Sequence, residues 1–260
     1  MKKFFYLMAL VCTLGFFTAC SDDNDDPQIV RNEKIEGTWN LEENSTVDMG
    51  DQGELIVGSA KFTWDCPADT KITIDMGGFP MELPVTTVTA LVNNLANTYL
   101  PQVLKDVTFT ADGKINATYA DLPEDTESVA STTPAWKKAE GYATYKVVND
   151  NLINVTVDAD KATDNIEDLQ EKAQIKAILQ KYNSIPVNIR WNGTKPYFYV
   201  DKAFVQPLLA NLVAMISQVP TDSIDEDDLA TFNMIKAIVN QLPDIMENTT
   251  TFEAGLELTK

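Results

Sequence analysis

Carboxylates supply most of the reactive chemistry open to this chain, because its 260 residues include 39 Asp and Glu but no histidine. The commonest general base and a common zinc ligand are therefore missing, and a serine–histidine–aspartate triad cannot be assembled. Cysteine adds little. Cys12 and Cys20 lie in or beside an apolar N-terminal run, which leaves Cys66 alone and without a disulfide partner. Its sequence neighbours Asp65 and Pro67 bring no cation or base to activate a thiolate. Two carboxylates several ångströms apart suffice for glycoside hydrolysis, so a carboxylate-based hydrolase stays open as an alternative. Nothing in the order of residues picks out a pair.

Two acidic runs have the look of cation sites. Asp158, Asp160 and Asp164 approach the spacing of a twelve-residue calcium loop, but Thr163 stands where that loop requires glycine and Leu169 where it requires glutamate. Asp225-Glu226-Asp227-Asp228 is consecutive, and the expected helix start beside it places negative charge where the helix dipole favours it. No catalytic residue, metal ligand or cofactor is expected, and the reading is of a non-enzymatic protein. Aromatic side chains are the better binding candidates. Trp191, Tyr197 and Tyr199 share one hairpin, and Trp136 stands in a polar stretch. Aromatic rings with polar tips suit sugars and protein partners alike.

The N-terminus carries an address. Lys2 and Lys3 precede an apolar run from Phe4 to Phe17, about the length of a signal-peptide core and short of the roughly 20 residues that a spanning helix needs. Phe17-Thr18-Ala19-Cys20 resembles a bacterial lipobox, which implies residues 1–19 as a signal peptide and a lipidated Cys20. Ser21-Asp22-Asp23-Asn24-Asp25-Asp26 resembles the acidic export tag of Bacteroidetes surface lipoproteins. The implied location is the outer membrane, lipid-anchored and facing the cell exterior, with residues 20–34 as an acidic linker. Asp222-Ser223-Ile224 resembles the short O-glycosylation acceptor of proteins secreted by the same bacteria, and Ser223 also serves as a helix cap. The net charge of −19 repels phosphate backbones, so nucleic acid is excluded as a partner.

Residues 35–260 must then form one β-rich domain. Ile35, Gly37, Trp39 and Leu41 alternate as a strand with one buried face. The Gly37-Thr38-Trp39 opening resembles that of lipocalins and of lipocalin-like (calycin-like) domains in Bacteroidetes surface lipoproteins, where the tryptophan plugs one barrel end. Strands are expected at Leu55–Trp64, broken by Gly58, and at Lys71–Met76. Three hairpins turn at Asp112-Gly113, Asn149-Asp150-Asn151 and Asn192-Gly193, and Phe252, Leu256 and Leu258 end the chain as a strand. Residues 121–140 read as a long polar loop. Apolar spacing predicts helices over Thr86–Leu104, ended or kinked by Pro101, over Asp164–Tyr182, over Val205–Gln218 with Pro207 in its first turn, and from Ser223 onward. Leu100-Pro101 to Phe109 and Leu242-Pro243 to Phe252 form a faint repeat, each running from a helix into a strand.

The expected class is α+β: an antiparallel sheet or partly closed barrel of about ten strands with about four inserted helices. The expected role is a cell-surface binding module for a small apolar ligand or glycan. The alternative is a structural partner in an outer-membrane protein complex. A Cys20→Ser variant is expected to stop incorporating labelled palmitate and to accumulate as unprocessed precursor; unchanged labelling would refute the lipobox reading.

Overall fold

The computed structural model describes residues 32–48, 50, 54–75, 80–121, 133–164, 166, 169–219 and 226–260. The expected signal, Cys20, the expected acidic tag and Ser223 lie outside them. The first strands are β1 (Gly37–Leu41), β2 (Ser45–Asp48), β3 (Glu54–Val57), β4 (Ala60–Asp65), β5 (Lys71–Asp75) and β6 (Pro80–Pro84), followed by helix α1 (Val85–Val103). Next come β7 (Leu104–Phe109), β8 (Lys114–Tyr119), β9 (Lys137–Asn149) and β10 (Leu152–Val157), then α2 (Ala159–Thr163) and α3 (Leu169–Lys181). The chain ends with β11 (Ile185–Asn192), β12 (Lys195–Asp201), α4 (Lys202–Gln218), α5 (Glu226–Asn248) and β13 (Thr251–Thr259). The class is α+β as expected, with thirteen strands and five helices among the described residues.

Eight strands close a barrel in the order β1-β7-β8-β9-β10-β11-β12-β13, and β13 returns to β1. Every neighbouring pair is antiparallel. The expected partly closed sheet is thus a closed barrel. Closure rests on Asn40 opposite Thr259 and Leu41 opposite Leu258. Earlier along the same edge, Thr251–Leu256 of β13 pairs with β4. One long strand therefore seals the barrel with its last residues and starts an annex with its first. Strands β7 and β13, the two that end the faint helix-to-strand repeat, flank β1 on opposite sides.

Period-two alternation fills the barrel. Trp39, Val107, Phe109, Ile115, Tyr145, Ile153, Val155, Ile185, Val187, Ile189, Phe198 and Leu256 are all buried in one contiguous cluster. Phe109 stacks on Phe198 at 5.0 Å and meets Tyr145 edge-on at 5.3 Å. The annex has its own core, in which Trp64, Ile72, Ile74, Val85 and Ile245 are buried. Phe62, Trp64 and Phe252 meet there edge to face, with centroids 5.2–6.1 Å apart. A third cluster, centred on Ile216, Phe232 and Val239, joins α4 to α5.

Several local expectations change. The hairpins form, with Gly113 (φ 80) and Gly193 (φ 64) supplying the left-handed backbone that their turns require. Residues 137–140 of the expected polar loop belong instead to β9, whose long first half pairs with β8 from Lys137 onward. The helix expected from Asp164 to Tyr182 is α3, which begins later, at Leu169, and the short helix α2 precedes it. Asp158 caps α2 by accepting from the Lys161 amide. In α3 the buried residues are Ile175 and Leu179, while Leu169 is 81 % exposed. Pro207 sits in the second turn of α4, because that helix, capped by Asp201, begins at Lys202, three residues before the apolar pattern does. Pro101 does not end α1, which continues to Val103.

The reason α1 survives its proline also explains how it is attached. Pro101 has no N–H for the carbonyl of Asn97 four residues back, and the Asn44 side-chain amide donates to that carbonyl instead at 2.5 Å. The helix faces the sheet with its asparagines. Asn97 Oδ1 accepts from the Ala60 amide at 2.9 Å, and its Nδ2 donates to the Ala60 carbonyl at 3.0 Å. Asn93 pairs in the same two-bond manner with Phe62, and Asn94 bonds the Ile56 amide and the Glu54 carbonyl. Gln241 of α5 repeats the device on Thr73 of β5. These side-chain amides stand in for a neighbouring strand along edges that would otherwise leave buried backbone groups unpaired.

Each buried backbone group deprived of its partner costs about 1–3 kcal/mol. An Asn97→Leu variant is therefore expected to lose roughly 3 kcal/mol or more in denaturant unfolding, despite being more apolar. Leu91→Ala and Leu95→Ala, on the opposite side of the same helix, are expected to change stability by less than about 1 kcal/mol.

Candidate functional site

Four regions of the fold bear on function. The first is its plugged end. Trp39 is 2 % exposed, and its indole N–H donates to the Ile35 carbonyl at 2.6 Å. Trp191 points inward from β11 and meets Trp39 edge-on, with centroids 6.2 Å apart. The Lys34 ammonium lies 3.8 Å from the Trp191 ring centroid and that of Lys260 lies 4.5 Å from the Trp39 centroid. Cations over indole faces are attracted by the ring quadrupole, so two lysines cover the aromatic plug.

The second region is the outer face of β11–β13. Tyr197 and Tyr199 project there, away from Phe198 and Val200 in the core. Their rings stack at 4.8 Å. The Arg190 guanidinium covers both, 5.7 Å from the Tyr197 centroid and 4.9 Å from that of Tyr199. Arg190 is held by two bonds to Glu253, at 2.5 and 3.1 Å, and the bond to that carboxylate pushes its pKa further up. Burial pushes the Tyr197 hydroxyl well above the ordinary tyrosine range; it donates to the Lys61 carbonyl at 3.3 Å. The hairpin aromatics thus divide. Trp191 belongs to the plug, whereas the tyrosine rings face one another and an arginine.

The third is an open polar cleft of about 400 Å³ lined by Thr110, Asp112, Lys114, Asn116, Glu140 and Gly141. It forms where β9 bulges against β8, between the pairs Ile115–Ala143 and Ala117–Ala139. Gly141 takes φ 68 there, donates to Asn116 Oδ1 at 3.3 Å and accepts from Lys161 Nζ at 2.9 Å. Trp136 stands just before β9 and is 37 % exposed.

The fourth is the outward side of α1. This 19-residue helix contains no charged side chain, in a chain that is 23 % charged. Its amides are turned inward, so Leu91 and Leu95 face out, 52 % and 39 % exposed, with Val88, Val92 and Tyr99 half-buried beside them. Val47 and Met81 are also exposed. These four lie in the segment inserted between β1 and β7, whereas the other exposed large apolar residues described, Trp136, Val148 and Leu169, are scattered elsewhere. The apolar spacing of α1 was legible in the sequence, but it suggested a buried face. Asn93, Asn94 and Asn97 gave the missed signal: asparagine is a poor interior helix former, and three within five residues need a reason.

The first acidic run has structural partners, and the side chains of Asp225 to Asp228 lie outside the described ones. Asp158 caps α2, Asp160 binds Lys176, and Asp164 lies 3.6 Å from Lys172. Comparison with protein-family models, curated proteins and solved structures found no match for the chain.

Removing the buried Trp39 side chain leaves a large cavity at the barrel end. Trp39→Ala is expected to cost about 3–5 kcal/mol in urea unfolding, whereas Trp136→Ala is expected to cost less than about 1 kcal/mol.

Proposed function

We infer that this protein is a non-enzymatic, lipid-anchored cell-surface protein that binds a partner protein of the outer membrane through the outward side of α1. The observation that carries the reading is the reversed helix. Asn93, Asn94 and Asn97 hold the strand edges, while Leu91 and Leu95 are left in water. Exposing adjacent leucines on an uncharged helix forgoes their burial, worth about 1.5–3 kcal/mol for each fully buried side chain. Contiguous apolar patches of this kind mark contact surfaces. The partner that fits is an uncharged apolar surface, since α1 offers no ion pair. The packed barrel interior favours this reading over a carrier that encloses an apolar ligand.

A second reading, glycan recognition, is favoured by one feature, the polar cleft at the β9 bulge. Its alternating donors and acceptors, Thr110, Asn116, Lys114 and Glu140, match the hydroxyl groups of a sugar.

The partner reading is tested by photocrosslinking in the native host from positions 91, 95 and 169. A discrete protein adduct is expected from 91 and 95 and none from Leu169, which is more exposed but lies outside the inserted segment. The double variant Leu91→Asp/Leu95→Asp is expected to abolish the adduct from position 88 while leaving thermal unfolding unchanged. Equal crosslinking from 169, or an adduct indifferent to the double substitution, would overturn the reading. A sugar bound in the cleft would instead lose affinity in Asn116→Ala, measured by calorimetry.

A further inference from the structure

We propose that the plugged barrel end is a binding site for a small carboxylate, separate from the α1 surface. The proposal starts from unequal indoles. The Trp39 N–H donates to the Ile35 carbonyl and the Trp64 N–H to Thr249 Oγ1. The Trp191 N–H is buried and has no partner among the described residues. Asn32 Nδ2 is the other buried side-chain donor without one, and Asn32 is 8 % exposed. Its orientation is settled, because Asn32 Oδ1 accepts from the Lys34 amide at 3.1 Å.

The turn that starts at Asn32 links the two orphan donors through Lys34. Asn32 begins the turn that covers the barrel end, accepting from the Ile35 amide at 3.0 Å. Two residues on, the Lys34 ammonium lies over the ring of Trp191 itself. Lys260 closes the other side over Trp39, with its Nζ 3.9 Å from where a Cβ on Gly37 would stand. Both lysines are exposed. In a chain of net charge −19, acidic partners for them are abundant, yet among the described residues neither is joined to a carboxylate.

The end therefore holds two exposed ammoniums above two buried neutral N–H groups, and among the described residues no acceptor side chain is bonded to any of them. An acceptor carrying negative charge suits such a set best. A carboxylate has two oxygens with about four lone-pair positions and no donor. Charge-assisted bonds to it are stronger than those to a water. Lys34 is the movable part, since its long exposed side chain can leave the indole face to meet the anion and uncover the Trp191 N–H.

The test uses the whole mature chain with 15N-labelled indoles, titrated with sodium acetate at constant ionic strength set by chloride. The Trp191 N–H resonance, assigned with Trp191→Phe, is expected to move downfield and saturate, while those of Trp39 and Trp64 stay. Lys34→Gln and Lys260→Gln should each weaken binding about tenfold and leave thermal unfolding unchanged. Glucuronate separates two sources of the same group: tighter binding than acetate points to an acidic sugar, weaker binding to a small acid. An unmoved Trp191 resonance, a shift that chloride reproduces, a response to phosphate alone, or wild-type affinity in both lysine variants would overturn the proposal.

Discussion

The free edge of β4 is the constraint on which the annex depends. A strand has two hydrogen-bonding edges, and β13 divides one of its own between β4 and β1. That leaves the other edge of β4 facing the interior of the fold without a strand to pair with. Unpaired backbone groups there would be costly. Asn93 and Asn97 of α1 supply them with amide groups of the same chemistry as a peptide, residue for residue at Phe62 and Ala60. Gly58 makes the approach feasible, since a Cβ there would stand 2.7 Å from Asn97 Oδ1. The orientation of α1 follows from this contact, and with it the exposure of Leu91 and Leu95.

The barrel solves a different problem. Closing eight strands removes the remaining edges, and large aromatics then occupy the interior. Phe109, Tyr145 and Phe198 fill its middle, and Trp39 with Trp191 fills one end. A barrel packed in this way makes a rigid scaffold. Binding chemistry is displaced to what projects from it: the uncharged helix, the bulge cleft and the lysine-covered end. The tyrosine–arginine stack on the outer face is self-contained, with Arg190 anchored by Glu253 and Tyr197 buried beneath it. It ties β11, β12 and β13 together close to where β13 passes from annex to barrel.

Legibility differed between elements for identifiable reasons. The barrel hairpins were readable because their signal is local: a turn dipeptide at fixed position between alternating strands. The β-rich α+β class and the buried Trp39 were readable on the same grounds. The boundary at Asp158 was missed because the apolar pattern of α3 begins later than the cap that starts α2. Strand β9 was missed at its start because Lys137, Lys138 and Glu140 are polar on an exposed stretch, and only pairing with β8 makes it a strand. Helix α1 was found but its facing was not. Periodicity locates an apolar stripe, and whether that stripe points inward depends on what the opposite face can bond.

Sequence by itself determined the elements governed by local chemistry: the hairpin turns, the alternating strands, the apolar helices, the histidine-free acidic composition and the apolar N-terminal run. Tertiary structure alone decided three things. It decided that the sheet closes, because closure rests on two residue pairs between chain segments more than 200 residues apart. It decided that Trp191 and the tyrosines of one hairpin serve opposite faces, because side-chain direction alternates along paired strands. And it decided that the leucines of α1 meet solvent, because the unpaired edge of β4 competes for that helix and hydrogen bonding to a buried backbone outweighs burying one apolar stripe.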